Sequence, residues 1–203
     1  MKLYTKPGAC STADHIALAW SGLPYEVEVL DGRRLKSPEY LAINPAGTVP
    51  TLVDGDFVLP QNAAILGYIA DRAPAAALLG DGSPRQRAEA TRWLAFVNAD
   101  LHPAFKPLFA PGSFIAHRAQ HEALKGPAHE RLRALYDVVD RQLEGRDWIA
   151  GFRSVADPYL FVTLLWADRL KLDVGGLARV HAYKARLQAD SGVQAALTAE
   201  GLG

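Results

Sequence analysis

The chain has 203 residues and a mass of 22.0 kDa, enough for one large domain or two small ones. Hydrophobic residues make up 49% and charged residues 22%, which is ordinary globular composition and excludes a disordered chain. Twenty-two Lys and Arg balance 22 Asp and Glu, which excludes the basic excess of a nucleic-acid binder or a polybasic membrane-surface protein. One cysteine, Cys10, excludes an internal disulfide framework and a Cys-rich zinc site. The longest apolar run, Pro158 to Ala167, falls well short of the about 20 residues a membrane-spanning helix needs. Pro7, Gly8, Asp14 and His15 interrupt any signal-peptide core, so the expected location is the cytoplasm.

In chain order, Lys2 to Thr5 reads as a strand broken by Lys6-Pro7-Gly8. Ser11 to Ser21 reads as a helix with Ser11 as N-cap, Asp14 near its positive end and Gly22 as terminator. Tyr25 to Leu30 alternates with the period of a half-buried strand, which predicts a parallel βαβ unit. Arg33, Arg34 and Lys36 fall in a polar loop, and Pro38 to Ile43 reads as a short helix. Thr51 to Val53 and Phe57 to Leu59 flank an Asp-Gly hairpin turn. Gln61 to Arg72 carries a helical apolar stripe.

Composition then changes. Residues 1–73 form the expected β-α-β-α-β-β-α unit, residues 74–84 a Pro- and Gly-bearing linker, and residues 85–203 an all-helical unit. Its predicted helices are Arg85 to Leu108, bent near His102-Pro103 and Pro107, Phe114 to Leu143, interrupted at Gly126-Pro127, then Val155 to Leu170, Leu177 to Ala189 and Val193 to Ala199. Val155 to Leu170 is apolar on all sides and is expected to be the buried central helix.

Cys10 stands between a Pro-Gly turn and a helix start, where backbone N–H groups favour a thiolate. Lowering a thiol pKa by two units takes about 2.7 kcal/mol. The helix dipole supplies about 0.3–1 kcal/mol, so a charge-assisted hydrogen bond of about 1.5–3 kcal/mol must add to it. The competing reading is a buried, inert cysteine.

The opening MKLYTKPGACS, the stretch YLAINPAGTVPTLV, the segment LHPAFKPLF, SVADPYLF and the ending AALTAEGLG resemble bacterial glutathione transferases of the beta class, in order and over essentially the whole chain. The resemblance implies a thioredoxin-like N-terminal domain, an all-α C-terminal domain and a homodimer with two glutathione sites. It implies a cis Val49-Pro50 bond, with Val49 pairing its backbone to the cysteinyl part of glutathione as an added strand. It assigns Gln61 and Asn62, at a helix N-terminus suited to a carboxylate, to the γ-glutamyl group; simple N-capping by Asn62 would read the same. It places Ala9 and Cys10 beside the peptide, and Arg33 toward the glycyl carboxylate, against a solvated charge cluster as the plainer reading. His102 is expected to approach Cys10 and the glutathione sulfur, and Asp100 to reach the γ-glutamyl amine across the dimer. Pro103 stands where the family carries a lysine, which removes a cation. Phe105, Leu108, Phe109 and Trp166 are the implied apolar pocket for the second substrate, although core packing is the commoner role. Ser154 to Asp157 is an S-x-x-D capping box. His117 and His121 have helical i,i+4 spacing, but no third ligand accompanies them and a solvated face is the simpler reading.

The expected function is transfer of the glutathione thiol to small apolar electrophiles, with glutathione as co-substrate, no metal, no nucleic acid and no membrane partner. Cys10-dependent disulfide exchange or peroxide reduction is a second reaction to weigh. The alternative is a non-catalytic relative that binds apolar ligands or a protein partner.

Overall fold

The computed structural model describes residues 1–203. Strand β1 (Lys2–Thr5), helix α1 (Ser11–Ser21) and strand β2 (Glu26–Val29) make the predicted parallel unit, with Leu3 opposite Val27. A short helix α2 (Pro38–Ile43) precedes the hairpin of β3 (Thr51–Asp54) and β4 (Phe57–Pro60), and α3 (Asn62–Arg72) follows. The sheet order is β2-β1-β3-β4, and β3 runs antiparallel to both neighbours. Pro60 ends β4 at the sheet edge, where a missing N–H leaves no inner partner unserved.

Helices α4 (Pro84–Phe96), α5 (His102–Phe109), α6 (Lys125–Gln142), α7 (Ala156–Arg169), α8 (Ala178–Gln188) and α9 (Ser191–Ala199) complete the chain. α7 is buried from Ala156 through Leu164, as its all-round apolar sequence predicts. One apolar cluster of 40 residues runs from Leu3 in the sheet to Ala196 in α9, so both halves share a core. No helix is long and apolar enough to cross a membrane.

Three elements differ from the sequence reading. The expected helix 85–108 is split by a wide turn at Val97–Leu101, where the His102 N–H donates to Val97 O, five residues back. Pro103 has no N–H to return to the preceding turn, and the ladder widens just before it. The expected helix from Phe114 is irregular and 3₁₀ until α6 begins at Lys125, because Gly126-Pro127 suit a first turn better than an interior. In the 3₁₀ stretch Arg118–Leu124, i,i+4 residues no longer align. His121 bonds Ile115 O at 2.8 Å.

At α1 the N-cap position belongs to Cys10, not Ser11. The Ser11 hydroxyl is turned back to β1, hydrogen-bonded to Thr5 Oγ1 at 2.8 Å and accepting from the Lys6 N–H at 3.2 Å. Below it, the buried Glu200 carboxylate accepts from Thr5 at 2.9 Å and Thr12 at 2.7 Å, and pairs with His15 Nδ1 at 3.0 Å. The end of the chain thereby fixes the helix that carries Cys10. Asp14, expected near the helix end, is fully buried, and neither carboxylate oxygen has a partner.

Candidate functional site

The turn before Cys10 is held from the helical half: Trp166 Nε1 donates to Gly8 O at 2.8 Å. Val49-Pro50 is cis. Tyr40 within α2 and Asn44 just after it both donate to Thr48 O, which fixes the approach to that bond. The Cys10 Sγ–H faces Val49 O at 4.0 Å, and Asn62 Nδ2 donates to Cys10 O at 3.1 Å. Strand, hairpin and helix starts therefore converge on one thiol.

A cleft of about 690 Å³ opens here, lined among others by Cys10, Val49, Pro50, Gln61, Asn62 and His102. A second hollow of about 320 Å³ lies beyond it, lined among others by Ala9, Cys10, His102, Phe109 and Trp166. Cys10, His102 and Phe109 border both.

Gln61 occupies the N-cap of α3 with φ +80°, a region that side chains rarely adopt, and makes no side-chain cap bond. The start of α3 therefore has no side-chain cap, and Gln61 and Asn62 put it on the cleft wall, a suitable place for a carboxylate. Asn62 is not the cap. It sits inside the first turn, its amide spent partly on Cys10 O, and its Oδ1 is buried without a partner.

Cys10 does not have the acidity expected of it. Burial, and then the carboxyl of Asp14 below, push its thiol up to about 12. The N–H groups of Cys10 and Ser11 and the Asn62 amide do favour the thiolate, but desolvation outweighs them. In the free protein Cys10 is a thiol.

His102 Nδ1 is hydrogen-bonded to the Tyr159 hydroxyl from α7, and its ring packs edge-on to Trp166 at 4.8 Å. Burial pushes its pKa below the ordinary histidine value, which favours the neutral ring. Burial also holds the Tyr159 hydroxyl above the ordinary tyrosine range. The Tyr159 hydroxyl also reaches Asn98 Oδ1, at 3.5 Å; donation along the shorter contact, to His102 Nδ1, corresponds to the tautomer with the ring proton on Nε2. Nε2 has no protein partner and is open to the cleft.

Other expected residues lie elsewhere. Arg33, Arg34 and Lys36 line neither hollow; Arg34 pairs with Glu28, and the Arg33 N–H donates to Asp31. Asp100 is exposed, 3.8 Å from Arg131 of the same chain. Phe105 is fully buried, stacked behind Phe109 at 5.7 Å, and Leu108 packs against the core. Of the four expected apolar residues, only Phe109 and Trp166 line the second hollow. The sequence reading missed Asn98, Lys106 and Tyr159, which all line the cleft. Lys106 stands four residues after His102 on α5, a spacing that marks one helix face, and the wide turn carries Asn98 to the same cleft. Lys106 returns to this face the cation that Pro103 removed.

Residues 9–72 match the family described as glutathione S-transferase, N-terminal domain, and residues 90–190 match glutathione S-transferase, C-terminal domain. The chain is 56% identical to glutathione S-transferase GST-4.5 of Xanthomonas campestris over 203 residues, 100% of each chain. It is similar to a solved glutathione-S-transferase from Xylella fastidiosa, with 49% identity and a TM-score of 0.95, covering 100% of this chain and 99% of the other. A sphingomonad glutathione S-transferase complexed with glutathione has 37% identity and a TM-score of 0.86, with 100% of each chain covered. The chain belongs to the glutathione S-transferase family.

Proposed function

We infer that the protein binds glutathione in the larger cleft and transfers its sulfur to an electrophile in the adjoining hollow. The observation that carries this reading is the position of Cys10 and His102 on the boundary of the two spaces. The Val49 backbone is available to pair with the peptide, and the N–H groups at the start of α3 suit the γ-glutamyl carboxylate. The buried Asn62 Oδ1 is an acceptor suited to a ligand N–H.

At the sulfur, the glutathione thiol loses its proton to solvent, and the His102 Nε2–H donates to the thiolate left behind. The thiolate attacks the electrophilic carbon, forming the C–S bond as the leaving group departs. Tyr159 acts through His102, fixing the tautomer that makes Nε2 a donor. Burial of Cys10 as a thiol favours conjugation by glutathione's own sulfur over chemistry that begins at a Cys10 thiolate.

The cleft would be completed by a second copy of this chain, with Asp100 reaching the partner's γ-glutamyl amine. The exposed Phe57 and Val58 on edge strand β4 support a covered face. A cytoplasmic, glutathione-rich compartment suits this chemistry.

The test is calorimetry with glutathione combined with mass detection of the conjugate formed from a chlorodinitrobenzene. Cys10→Ala is expected to keep most of the conjugation and to lose any mixed disulfide with glutathione. No binding at millimolar glutathione, or no conjugate, would refute the reading.

A further inference from the structure

The second hollow has a charge as well as an apolar wall. Its lining includes Lys6 from the turn after β1 and Arg169 from the last turn of α7, and contains no Asp or Glu. Neither side chain is in an ion pair or a hydrogen bond, although Asp168, next to Arg169, is taken by Lys184. The same lining carries two large aromatic rings, Phe109 and Trp166. Phe109 is 46% exposed and meets Trp166 edge-on at 5.3 Å, with Phe105 stacked behind it. Trp166 has already spent its N–H on Gly8 O, so it offers the hollow only ring surface.

We propose that this hollow selects aromatic electrophiles that carry a carboxylate or sulfonate. The proposal rests on the conjugation reading above and names its substrate class. The ring of such a molecule lies against Phe109 and Trp166, its reactive carbon faces the sulfur held beside Cys10 and His102, and its anion reaches the rim. There Arg169 supplies a planar fork that fits two carboxylate oxygens, and Lys6 supplies a point charge. The overall charge of the chain is zero, so attraction of an anion depends on this local pair. Arg169 at a helix C-terminus also suits the dipole, but that role alone does not require a second cation in the same hollow.

The experiment compares a chlorodinitrobenzene with its carboxylated analogue, a chlorodinitrobenzoate, each kcat/KM divided by the uncatalysed rate with glutathione. The expected result is a preference for the benzoate that shrinks as salt is raised. Arg169→Gln and Lys6→Gln should each lower the benzoate-to-neutral ratio by roughly fivefold, as for a lost exposed charge contact, with Arg169→Lys recovering part of it. Both side chains are exposed, and thermal melts check that the variants fold. An equal normalised rate for the two electrophiles, or variants that leave the ratio unchanged, would overturn the proposal while conjugation stands. Failure to conjugate either electrophile would remove the conjugation reading and this proposal with it.

Discussion

In the proposed reaction, Tyr159 and His102 form the hydrogen-bonded pair that holds the reactive sulfur. The phenol cannot donate once its oxygen is gone, and the imidazole is then free to change tautomer. Tyr159→Phe is expected to raise the apparent pKa of bound glutathione, read from kcat/KM against pH, by about one unit, the scale of one lost charge-assisted hydrogen bond. Nitrogen chemical shifts of His102 should move from a protonated Nε2 toward a mixture. Unchanged shifts and an unchanged pH profile would show Tyr159 to be packing alone. Gln61 offers a second test at this scale. Glycine relieves a φ of +80°, so Gln61→Gly should raise unfolding stability by about 1 kcal/mol while weakening glutathione binding. Loss of both stability and binding would contradict the strain argument.

Among the elements, α7 is the one whose start is most heavily fixed. Asp157 accepts from the N–H groups of Ile149 at 3.0 Å and Ser154 at 2.7 Å, from the Ser154 hydroxyl, and from the Tyr183 hydroxyl at 2.9 Å. Half of the expected capping box is therefore present, Asp157 accepting from the Ser154 N–H, while the Ser154 hydroxyl bonds the Asp157 carboxylate and the Ala156 N–H and the N-cap itself is Val155; Asp157 also ties α7 to α8. Removing the acceptor orphans buried donors, so Asp157→Ala should destabilise the fold by about 3 kcal/mol or more. Burial nevertheless pushes this carboxyl up to about 6 from an ordinary 3.8, against the pull of its hydrogen bonds. A raised acid pKa means the folded chain holds a proton that the unfolded chain releases, so this contribution is lost as pH rises. From about pH 4 to pH 7, wild-type stability relative to Asp157→Asn should fall by about 2–3 kcal/mol, measured by denaturant unfolding. A pH-independent difference would contradict it. The wide turn at Val97–Leu101 is the other decisive element. One extra residue re-aims the following side chains by about 100°, since a regular helix has about 3.6 residues per turn. Asn98 lies within it and His102 directly after it, and both line the cleft.

At the scale of the molecule, the shared core and the Glu200 cluster make α1 answerable to both halves. Glu200→Ala would leave Thr12 and His15 without their buried acceptor, so it should destabilise the whole fold and lower the glutathione affinity together. Melting and calorimetry check this, and a loss confined to one of the two would show that the cluster does not position Cys10. Sedimentation should give a dimer at micromolar concentration, with Asp100→Ala weakening glutathione binding by about 1–3 kcal/mol, as for a hydrogen bond to a charged group. A fully active monomer would refute the assembly.

What the sequence determined by itself is local or carried by order along the chain. Alternation at Tyr25 to Leu30, the Asp-Gly hairpin and the all-round apolar α7 state their elements through period and turn chemistry. The motifs from MKLYTKPGACS to AALTAEGLG state the family because they occur in sequence over the whole length. What only the tertiary structure decided is whatever depends on distant partners. The Cys10 thiol looks acidic next to a helix start, but desolvation and the buried Asp14 reverse that, and neither effect is visible in neighbouring residues. Ser11 is a good N-cap in isolation, yet Thr5 and Glu200 claim this end of the helix. Phe105 and Phe109 look alike in sequence, and only packing separates a buried ring from one that lines the hollow. Lys6 follows β1 while Tyr159 and Arg169 lie on α7 at the other end of the chain, and the roles proposed for them follow from the space the fold leaves between these two elements.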